Sequence, residues 1–375
     1  MAAKVQDVKE EAQDFYSDDD LFSISSWGAD LSFRELIDRY DDNELLKPEL
    51  QRKYVWDKTE ASRFIDSLLL GLPVPSIFLA KTENERMLIV DGYQRIMTVY
   101  DYVRGIFNQD DKIFRLSRSE KINRRWRGKA FSELADHEQR KIKNTTIHAI
   151  VFVQDNPGDS NTSMYQVFER INTSGRTLMP QEIRNCIYQG AFNSLLMRVN
   201  KLSSWRKLFG SVTEDTRMRD VEFILRFFAL SSPGLVKEDN ERISLKRFLN
   251  IFMGKGKDIQ ENDMLNLEEA FSSTMNYLLE MFGVSAFHNL SPTNPDKLVD
   301  KFNPTIFDSI AVATKSALAR GAKIEHVDPE TSRRELLRNE AYRRTISVET
   351  MRTENIRLRI NLASQALFGL DYEQC

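Results

Sequence analysis

The hydrophobic pattern of residues 87–104 predicts a strand, a tight turn and a helix in direct succession. Residues 87–90 are a continuous apolar run, which is typical of a short buried strand. Asp91-Gly92 follows, and glycine readily takes the positive φ angle that a tight turn needs. Ile96, Val99 and Tyr100 then recur at helical spacing. A helix that starts directly after a strand leaves backbone N–H groups unpaired, and such groups bind anions.

The same pattern divides the chain into a half with a sheet and a helical half. Residues 77–80 are a second apolar run that predicts a hairpin with the 87–90 strand. Residues 145–153 are rich in β-branched side chains, which indicates a central strand. Beyond residue 157 the apolar positions keep helical spacing, so we predict an α+β fold with a mostly α-helical second domain. Helices are predicted over 164–171, 192–208, 216–231, 244–254, 261–283, 304–320, 331–342 and 349–368.

Three regions follow from this division. Residues 1–22 are acidic and are expected to form a disordered tail. Residues 23–157 are predicted to form the sheet-containing domain, and residues 158–375 the helical domain.

Composition and charge narrow the functional classes. The chain has 375 residues and a net charge of −3, so any nucleic-acid surface must be a local patch. Its two cysteines, Cys186 and Cys375, allow no disulfide framework and no zinc site, which favours a reducing cytoplasm. The sequence shows no signal peptide and no apolar run of membrane-spanning length. We therefore expect a cytoplasmic protein without a membrane partner.

One strongly basic stretch lies between residues 112 and 129, where eight lysines and arginines face Glu120 alone. Phe114 and Trp126 stand among these charges. Basic residues interleaved with aromatic residues can hold a phosphate backbone and stack on bases. The alternative is a solvated loop with a hydrophobic anchor. The candidate DNA-binding residues are Arg118, Lys121, Arg124, Arg125, Trp126 and Arg127.

Several common chemistries have no signature in the sequence. Neither H-E-x-x-H nor C-x-x-C occurs, so a structural zinc site is not expected. The sequence contains no G-x-S-x-G elbow, no G-x-x-x-x-G-K-[ST] P-loop and no H-x-x-P-type cluster of an HNH nuclease near its end. Charged residues are dense over 213–228. We expect a solvated helix face there, with an internal ion-pair network or a ligand rim as alternatives.

A polar set remains that suits a nucleoside triphosphate. Gln51 and Arg52 lie on an extended segment, and Asp91, Gln94 and Arg95 lie at the turn described above. If the extended segment pairs beside the strand before that turn, both arginines face one pocket. Two guanidinium groups, a helix N-terminus and a carboxylate for Mg²⁺ are suited to a triphosphate. Asp91 is then a magnesium ligand, or else a turn-forming side chain.

Four ordered segments resemble the ParB/sulfiredoxin-like domain found at the N-terminus of GmrSD-type restriction endonucleases. The turn Asp91-Gly92-Tyr93-Gln94-Arg95 is similar to the D-G-Q-Q-R signature of that family. The other segments are Gln51-Arg52-x-Tyr54-Val55-Trp56, the helix end at 67–75, and Phe168-Glu169-Arg170-Ile171-Asn172 with Gly175, Leu178 and Glu182-Ile183-Arg184. Together the four cover about residues 45–190.

The resemblance implies a small ParB/sulfiredoxin-like mixed sheet, and nucleotide binding and hydrolysis at the D-G-Q-Q-R turn in systems that restrict modified phage DNA. It implies catalytic roles for Asp91, Gln94 and Arg95, with Asp91 as the Mg²⁺ ligand. The nucleotide-binding residues that it implies are Gln51, Arg52, Gly92 and Arg95. Tyr93 departs from the family pattern, which has glutamine at that position.

The candidate partners are DNA, a second copy of the chain and a separate nuclease subunit. The last is expected because the HNH nuclease of fused family members has no counterpart in this sequence. Two alternatives to a nucleotide hydrolase stay open. One is a metal-dependent DNA endonuclease, and the other is a non-catalytic module whose DNA affinity is switched by nucleotide.

Overall fold

The computed structural model describes residues 3–7, 24–47, 56–82, 85–154, 163–171, 178–236, 243–256, 259–322 and 328–372. The elements of the first half are β1 (Ile24–Ser32), α1 (Phe33–Asp41), β2 (Leu45–Leu46), α2 (Lys58–Leu70), β3 (Ile77–Lys81), β4 (Met87–Asp91), α3 (Tyr93–Arg104), β5 (Ile106–Phe107), β6 (Lys112–Ile113), α4 (Asp136–Asn144) and β7 (Thr146–Gln154). A short 3₁₀ turn covers Phe131–Glu133.

The sheet has five strands in the order β1-β7-β3-β4-β2 and is mixed. β7 pairs antiparallel with β1 and parallel with β3, and β3 pairs antiparallel with β4. β2 runs parallel to β4, with Leu45 opposite Met87. The predicted hairpin and the predicted central strand are both confirmed, as is the α+β fold class.

Both faces of this sheet are covered, because successive side chains of a strand point to opposite faces. Ile89 and Val151 are buried in a cluster with residues of α1, α2 and α3, among them Phe64. Their neighbours in sequence, Val90 and Phe152, are buried in a separate cluster on the other face. The strands therefore read as continuous apolar runs rather than as alternating ones.

The second half is mostly helical, as predicted. Its elements are α5 (Ser163–Ile171), α6 (Pro180–Ile187), α7 (Ala191–Val199), α8 (Ser203–Phe209), α9 (Arg219–Leu230), α10 (Pro233–Val236), α11 (Leu245–Lys255), α12 (Glu261–Phe282), β8 (His288–Leu290), β9 (Leu298–Phe302), α13 (Pro304–Ala319), α14 (Pro329–Arg338), α15 (Glu340–Thr345) and α16 (Thr353–Phe368). Trp205 is fully buried at the centre of its core, with the rings of Phe271 and Phe307 both within 5.7 Å of the indole centroid.

The start of the chain packs against the helical half. Val5 forms a parallel bridge with Phe302, and the Lys4 ammonium lies 2.9 Å from Asp300. Ala3 is buried in the helical core. Residues 3–7 are therefore an ordered strap and not part of a disordered tail. The rest of the predicted tail, residues 8–22, lies outside the described residues.

The charge-dense segment 213–228 is not the solvated helix face that the sequence suggested. Asp220 is fully buried and accepts a hydrogen bond from Arg206 of α8 at 2.7 Å. Arg226 is also buried and pairs with Asp308 of α13 through both carboxylate oxygens. An internal ion-pair network thus joins α9 to α8 and α13. Sequence periodicity could not identify it, because Asp308 lies 82 positions away from Arg226.

Candidate functional site

The turn between β4 and α3 depends on Gly92. Its φ angle is +98°, and a Cβ atom at this position would lie 2.3 Å from Cγ2 of Ile77 on β3. Only glycine fits, because positive φ strains other residues and the neighbouring strand leaves no space. Gly92 is also the N-cap residue of α3, and no side chain caps the first turn of that helix. The N-terminus of α3 therefore has no side-chain cap, and its dipole favours a negative charge there.

Arg95 folds back onto this turn and onto the loop that precedes β3. Its Nη2 atom donates to Oδ2 of Asp91 at 2.7 Å. Its Nη1 atom donates to the backbone carbonyls of Pro75 and Ser76 at 2.8 and 2.9 Å. The Arg95 side chain is 12% exposed and that of Asp91 is 31% exposed. Arg95 therefore ties three segments together, and it reaches a phosphate only by releasing one of these acceptors or through its remaining N–H groups.

Those remaining donors decide whether the site can hold an anion. A guanidinium has five N–H groups, and the three hydrogen bonds of Arg95 use three of them. The Nε–H group and one N–H of Nη2 have no acceptor among the described residues. A bound anion can therefore use these two donors while the bonds to the loop carbonyls persist.

Gln94 connects the turn to the segment before α2. Its Oε1 atom accepts a hydrogen bond from the backbone N–H of Trp56 at 3.3 Å, and the Trp56 ring packs on Phe64 at 5.7 Å between centroids. This contact brings the end of the 51–56 motif to the Asp91–Arg95 turn. Gln51 and Arg52 lie outside the described residues, and their convergence with Arg95 stays a prediction.

Asp91 has the chemistry of a magnesium ligand. Proteins usually hold Mg²⁺ with one or two carboxylates plus substrate phosphates and water, so a dedicated cage is not needed. Oδ2 of Asp91 accepts from Arg95, and no donor among the described residues reaches Oδ1. Within the described part of the chain, no three His, Cys, Asp or Glu side chains gather as a metal site. Asp91 thus fits a nucleotide-borne Mg²⁺ and not a self-contained metal centre.

Tyr93 stands where the resembling family has glutamine. Its ring packs against the core of the sheet half. Burial and the neighbouring Tyr40 raise the pKa of Tyr93 to about 12. The phenol therefore stays neutral near pH 7 and keeps its capacity to donate a hydrogen bond.

The motif over residues 168–184 that resembles the family begins in α5 and ends in α6 with two buried charged residues, Glu182 and Arg184. Glu182 lies 3.2 Å from Arg217, in the turn before α9. Arg184 is fully buried and lies 2.5 Å from Glu222 of α9. These two ion pairs fasten α6 to α9 and to the turn before it, with the acid on α6 in one pair and the base on α6 in the other. The motif alone did not indicate this role, because both partners lie outside it.

The basic 112–129 loop is anchored by its aromatic residues. Phe114 and Trp126 are buried, and the Trp126 indole N–H donates to Asp66 of α2 at 2.5 Å. Trp126 is thus a hydrophobic anchor in this structure, and the expectation that it stacks on a base does not fit its position. Arg127 also serves the loop itself, because its guanidinium donates to the carbonyl of Ile122 at 2.7 Å.

The remaining cations of the loop differ in their availability. Arg125 pairs with Glu138 of α4 at 2.7 Å, which neutralises part of its charge. Arg118, Lys121 and Arg124 are exposed, and no side chain of the described residues pairs with them. Of the six candidate DNA-binding residues, these three therefore present unpaired positive charge.

A family model described as the GmrSD restriction endonuclease, N-terminal domain, matches residues 33–189 of this chain. The matched stretch runs from the start of α1 to just beyond α6 and contains the Asp91–Arg95 turn. Searches of curated proteins and of solved structures returned no match. None of the helices in the described residues combines the length and hydrophobicity of a membrane span. Residues 33–189 are therefore similar to the N-terminal domain of GmrSD restriction endonucleases, in agreement with the resemblance noted in the sequence.

Proposed function

We propose that the Asp91–Arg95 turn binds a nucleoside triphosphate with Mg²⁺ and hydrolyses it, and that hydrolysis is coupled to DNA held by the basic loop. The single observation that carries this proposal is the ion pair of Asp91 and Arg95 at the N-terminus of α3. It places a partly exposed carboxylate and a guanidinium with unused donors at a helix N-terminus that has no side-chain cap. These groups match the metal and the phosphates of a magnesium nucleotide.

Charge balance supports the proposal. A partly buried carboxylate or guanidinium that loses its partner is costly. A magnesium nucleotide brings a cation and an anion together, so Oδ1 of Asp91 can take the cation and the unused N–H groups of Arg95 can take phosphate. The ion pair at 2.7 Å persists, and neither charge is left unpaired before or after the nucleotide binds.

The proposed catalytic roles follow from what phosphoryl transfer requires, namely positioning and charge stabilisation. Arg95 stabilises the charge that grows on the transferred phosphoryl group. Gln94, held by Trp56, orients the attacking water. Asp91 would hold the metal ion, which would supply positive charge to neutralise the phosphates.

The proposed DNA contact rests on Arg118, Lys121 and Arg124. Their charges are exposed and unpaired among the described residues, whereas the loop beneath them is fixed by Trp126 and Asp66. Because the loop backbone is already fixed, binding carries no cost for ordering that backbone. Such contacts with phosphates give affinity without sequence preference.

Phosphate release from the four nucleoside triphosphates, with and without DNA, tests the proposed hydrolysis. We expect Arg95→Ala to lower the turnover rate by about a hundredfold or more, as when a preorganised charge donor is removed. Arg39→Ala is the matched control, because Arg39 forms an i,i+4 ion pair with Glu35 on α1, outside the site. Circular dichroism checks that both variants are folded. Equal turnover by wild type and Arg95→Ala would refute the proposed role.

The same preparation separates the two alternatives. A nucleotide-switched module predicts a nucleotide-dependent rise in melting temperature without phosphate release. A metal-dependent nuclease predicts plasmid nicking with Mg²⁺ or Mn²⁺ in the absence of nucleotide.

Salt dependence tests the DNA contact. Each phosphate contact adds about 0.9 to the slope of log K against log salt concentration. Replacing Arg118, Lys121 and Arg124 together by alanine should reduce that slope by up to about 3. Arg343 and Arg344, two exposed arginines of α15, serve as the control pair when replaced by alanine. An unchanged slope in the loop variant would remove this surface from the proposal.

A further inference from the structure

Helix α6 is buried on every side although much of it is polar. Residues 181–186 are all buried, and four of these six carry a charge or an amide. Ile183 packs in the apolar cluster on one face of the sheet. Gln181, Arg184 and Asn185 are spaced i, i+3 and i+4, so they share another face of the helix. α6 therefore carries a polar stripe through the interior of the protein.

Arg184 connects this stripe to two helices of the second half. Its Nε atom donates to Oε1 of Gln181 at 2.7 Å. Its terminal nitrogens donate to Asn250 of α11 at 3.3 Å and to Glu222 of α9 at 2.5 Å. These bonds use three of the five N–H groups of a guanidinium, and no acceptor for the other two is found among the described residues. Arg184 is fully buried, so these two groups need an acceptor in the interior.

Three amides near Arg184 are incompletely paired as well. Nε2 of Gln181, Nδ2 of Asn185 and Oδ1 of Asn193 have no hydrogen-bond partner in the described part of the chain. Each of these residues is at most 1% exposed. Asn193, on α7, donates from Nδ2 to Oδ1 of Asn185 at 2.8 Å. Exchanging oxygen and nitrogen in both asparagines would still leave one donor and one acceptor unpaired.

The unpaired groups define what can satisfy them. Buried polar groups are almost always hydrogen-bonded, either to protein or to ordered water. The missing partner must accept from N–H groups and also donate to a carbonyl oxygen. It must be neutral, because Glu222 already balances the charge of Arg184. It must be small, because the surrounding side chains are fully buried. Water meets all of these conditions.

We propose that α6 and α7 enclose an internal water site held by Arg184, Gln181, Asn185 and Asn193. Two N–H groups of the arginine, two amide nitrogens and one amide oxygen make five unpaired groups. A buried water molecule makes about three hydrogen bonds, so about two molecules satisfy the site.

The position of the site gives it a structural role. α6 lies within the matched residues 33–189, whereas α7, α9 and α11 lie beyond them. The water therefore bridges the family-like domain and the rest of the chain. A bridging water is nearly as favourable in enthalpy as a direct hydrogen bond.

A crystal structure of the full chain at a resolution that shows ordered water tests the proposal. We expect density within hydrogen-bond distance of Gln181 and Asn185. Nuclear Overhauser effects between water and side-chain amide protons give a second readout in solution. Asn200 is the internal control, because it is also buried, but its amide donates to Asp220 and accepts from Trp205. We expect water contacts at Gln181 and Asn185 and none at Asn200.

Replacing both asparagines of the pair by leucine removes two partners of the water. The water contact at Gln181 should then weaken, and the melting temperature should fall. Asn276→Leu is the matched control, because Asn276 is an exposed amide on α12, and it should change neither readout. Circular dichroism checks that the variants are folded.

Three results would overturn the proposal. One is a dry interior or direct protein contacts at these atoms in the wild-type crystal. Another is a water contact at Gln181 that is the same in the double variant and in Asn276→Leu. The third is a double variant at least as stable as wild type, because replacing both members of a dry pair by apolar side chains is nearly neutral or stabilising.

Discussion

The substitution Gly92→Ala tests how the candidate site is built, because two separate costs meet at this residue. The first is the backbone conformation, since alanine at a φ of +98° loses about 1–2 kcal/mol. The second is steric, because the new Cβ would lie 2.3 Å from Cγ2 and 2.9 Å from Cβ of Ile77. Ile77 is fully buried on β3 and cannot move aside without disturbing the sheet.

Overpacking of this kind costs about 1–3 kcal/mol. We therefore expect Gly92→Ala to lower the free energy of unfolding by about 2–5 kcal/mol in total. Gly105→Ala separates the two costs. Gly105 ends α3 at a φ of +87°, and nothing lies within 4 Å of its added Cβ. This control should lose about 1–2 kcal/mol, the backbone cost alone.

Urea unfolding followed by tryptophan fluorescence measures the difference. Trp27, Trp56 and Trp126 lie in the sheet half, whereas Trp205 is in the helical half, so the signal weights the domain that holds the turn. Equal losses in the two variants would refute the argument that contact with Ile77 fixes the turn. Nucleotide binding should be lost in Gly92→Ala and kept in Gly105→Ala.

Two further predictions concern buried charge. Burial raises the pKa of Asp101 to about 6, above its unfolded value of about 3.9. Folding therefore takes up a proton between these two pH values, and the free energy of unfolding falls as the pH rises through 6. Asp101→Asn should have a larger free energy of unfolding than wild type at pH 8, and this difference should narrow toward pH 4. Urea unfolding measures it, and a difference that does not change with pH would contradict the prediction. Asp308→Ala leaves Arg226 and Arg359 without their buried carboxylate and should cost about 3–5 kcal/mol. An unchanged melting curve would show that these arginines are not held by Asp308.

Local pattern was sufficient to predict the frame of the site. The apolar run before Asp91, the glycine after it and the helical spacing beyond it all act within one strand and one helix turn. The structure has β4 and α3 on either side of Gly92 for this reason. β7 was predictable in the same way, because a strand buried on both faces needs apolar, β-branched residues along its whole length.

Contacts between distant segments were not predictable from pattern. Trp126 stands among arginines in the sequence, which suggested an exposed ring, yet its indole is fixed by Asp66, 60 positions away. The acceptors of Arg95 at Pro75 and Ser76 are backbone carbonyls of an irregular loop, and any residue type would supply them. Sequence identifies which side chains can carry charge, whereas the fold decides which of those charges are already paired.

That distinction changes what Arg95 does in the proposed reaction. An arginine that waits in solvent must lose rotamer freedom when a phosphate binds, at a cost of about 2 kcal/mol for so long a side chain. Arg95 has already lost that freedom, because Asp91 and the two loop carbonyls hold it in place. Its unused N–H groups are therefore preorganised, and the affinity for phosphate is not reduced by an ordering cost. The ion pair with Asp91 therefore does not block the arginine but fixes its position for the nucleotide.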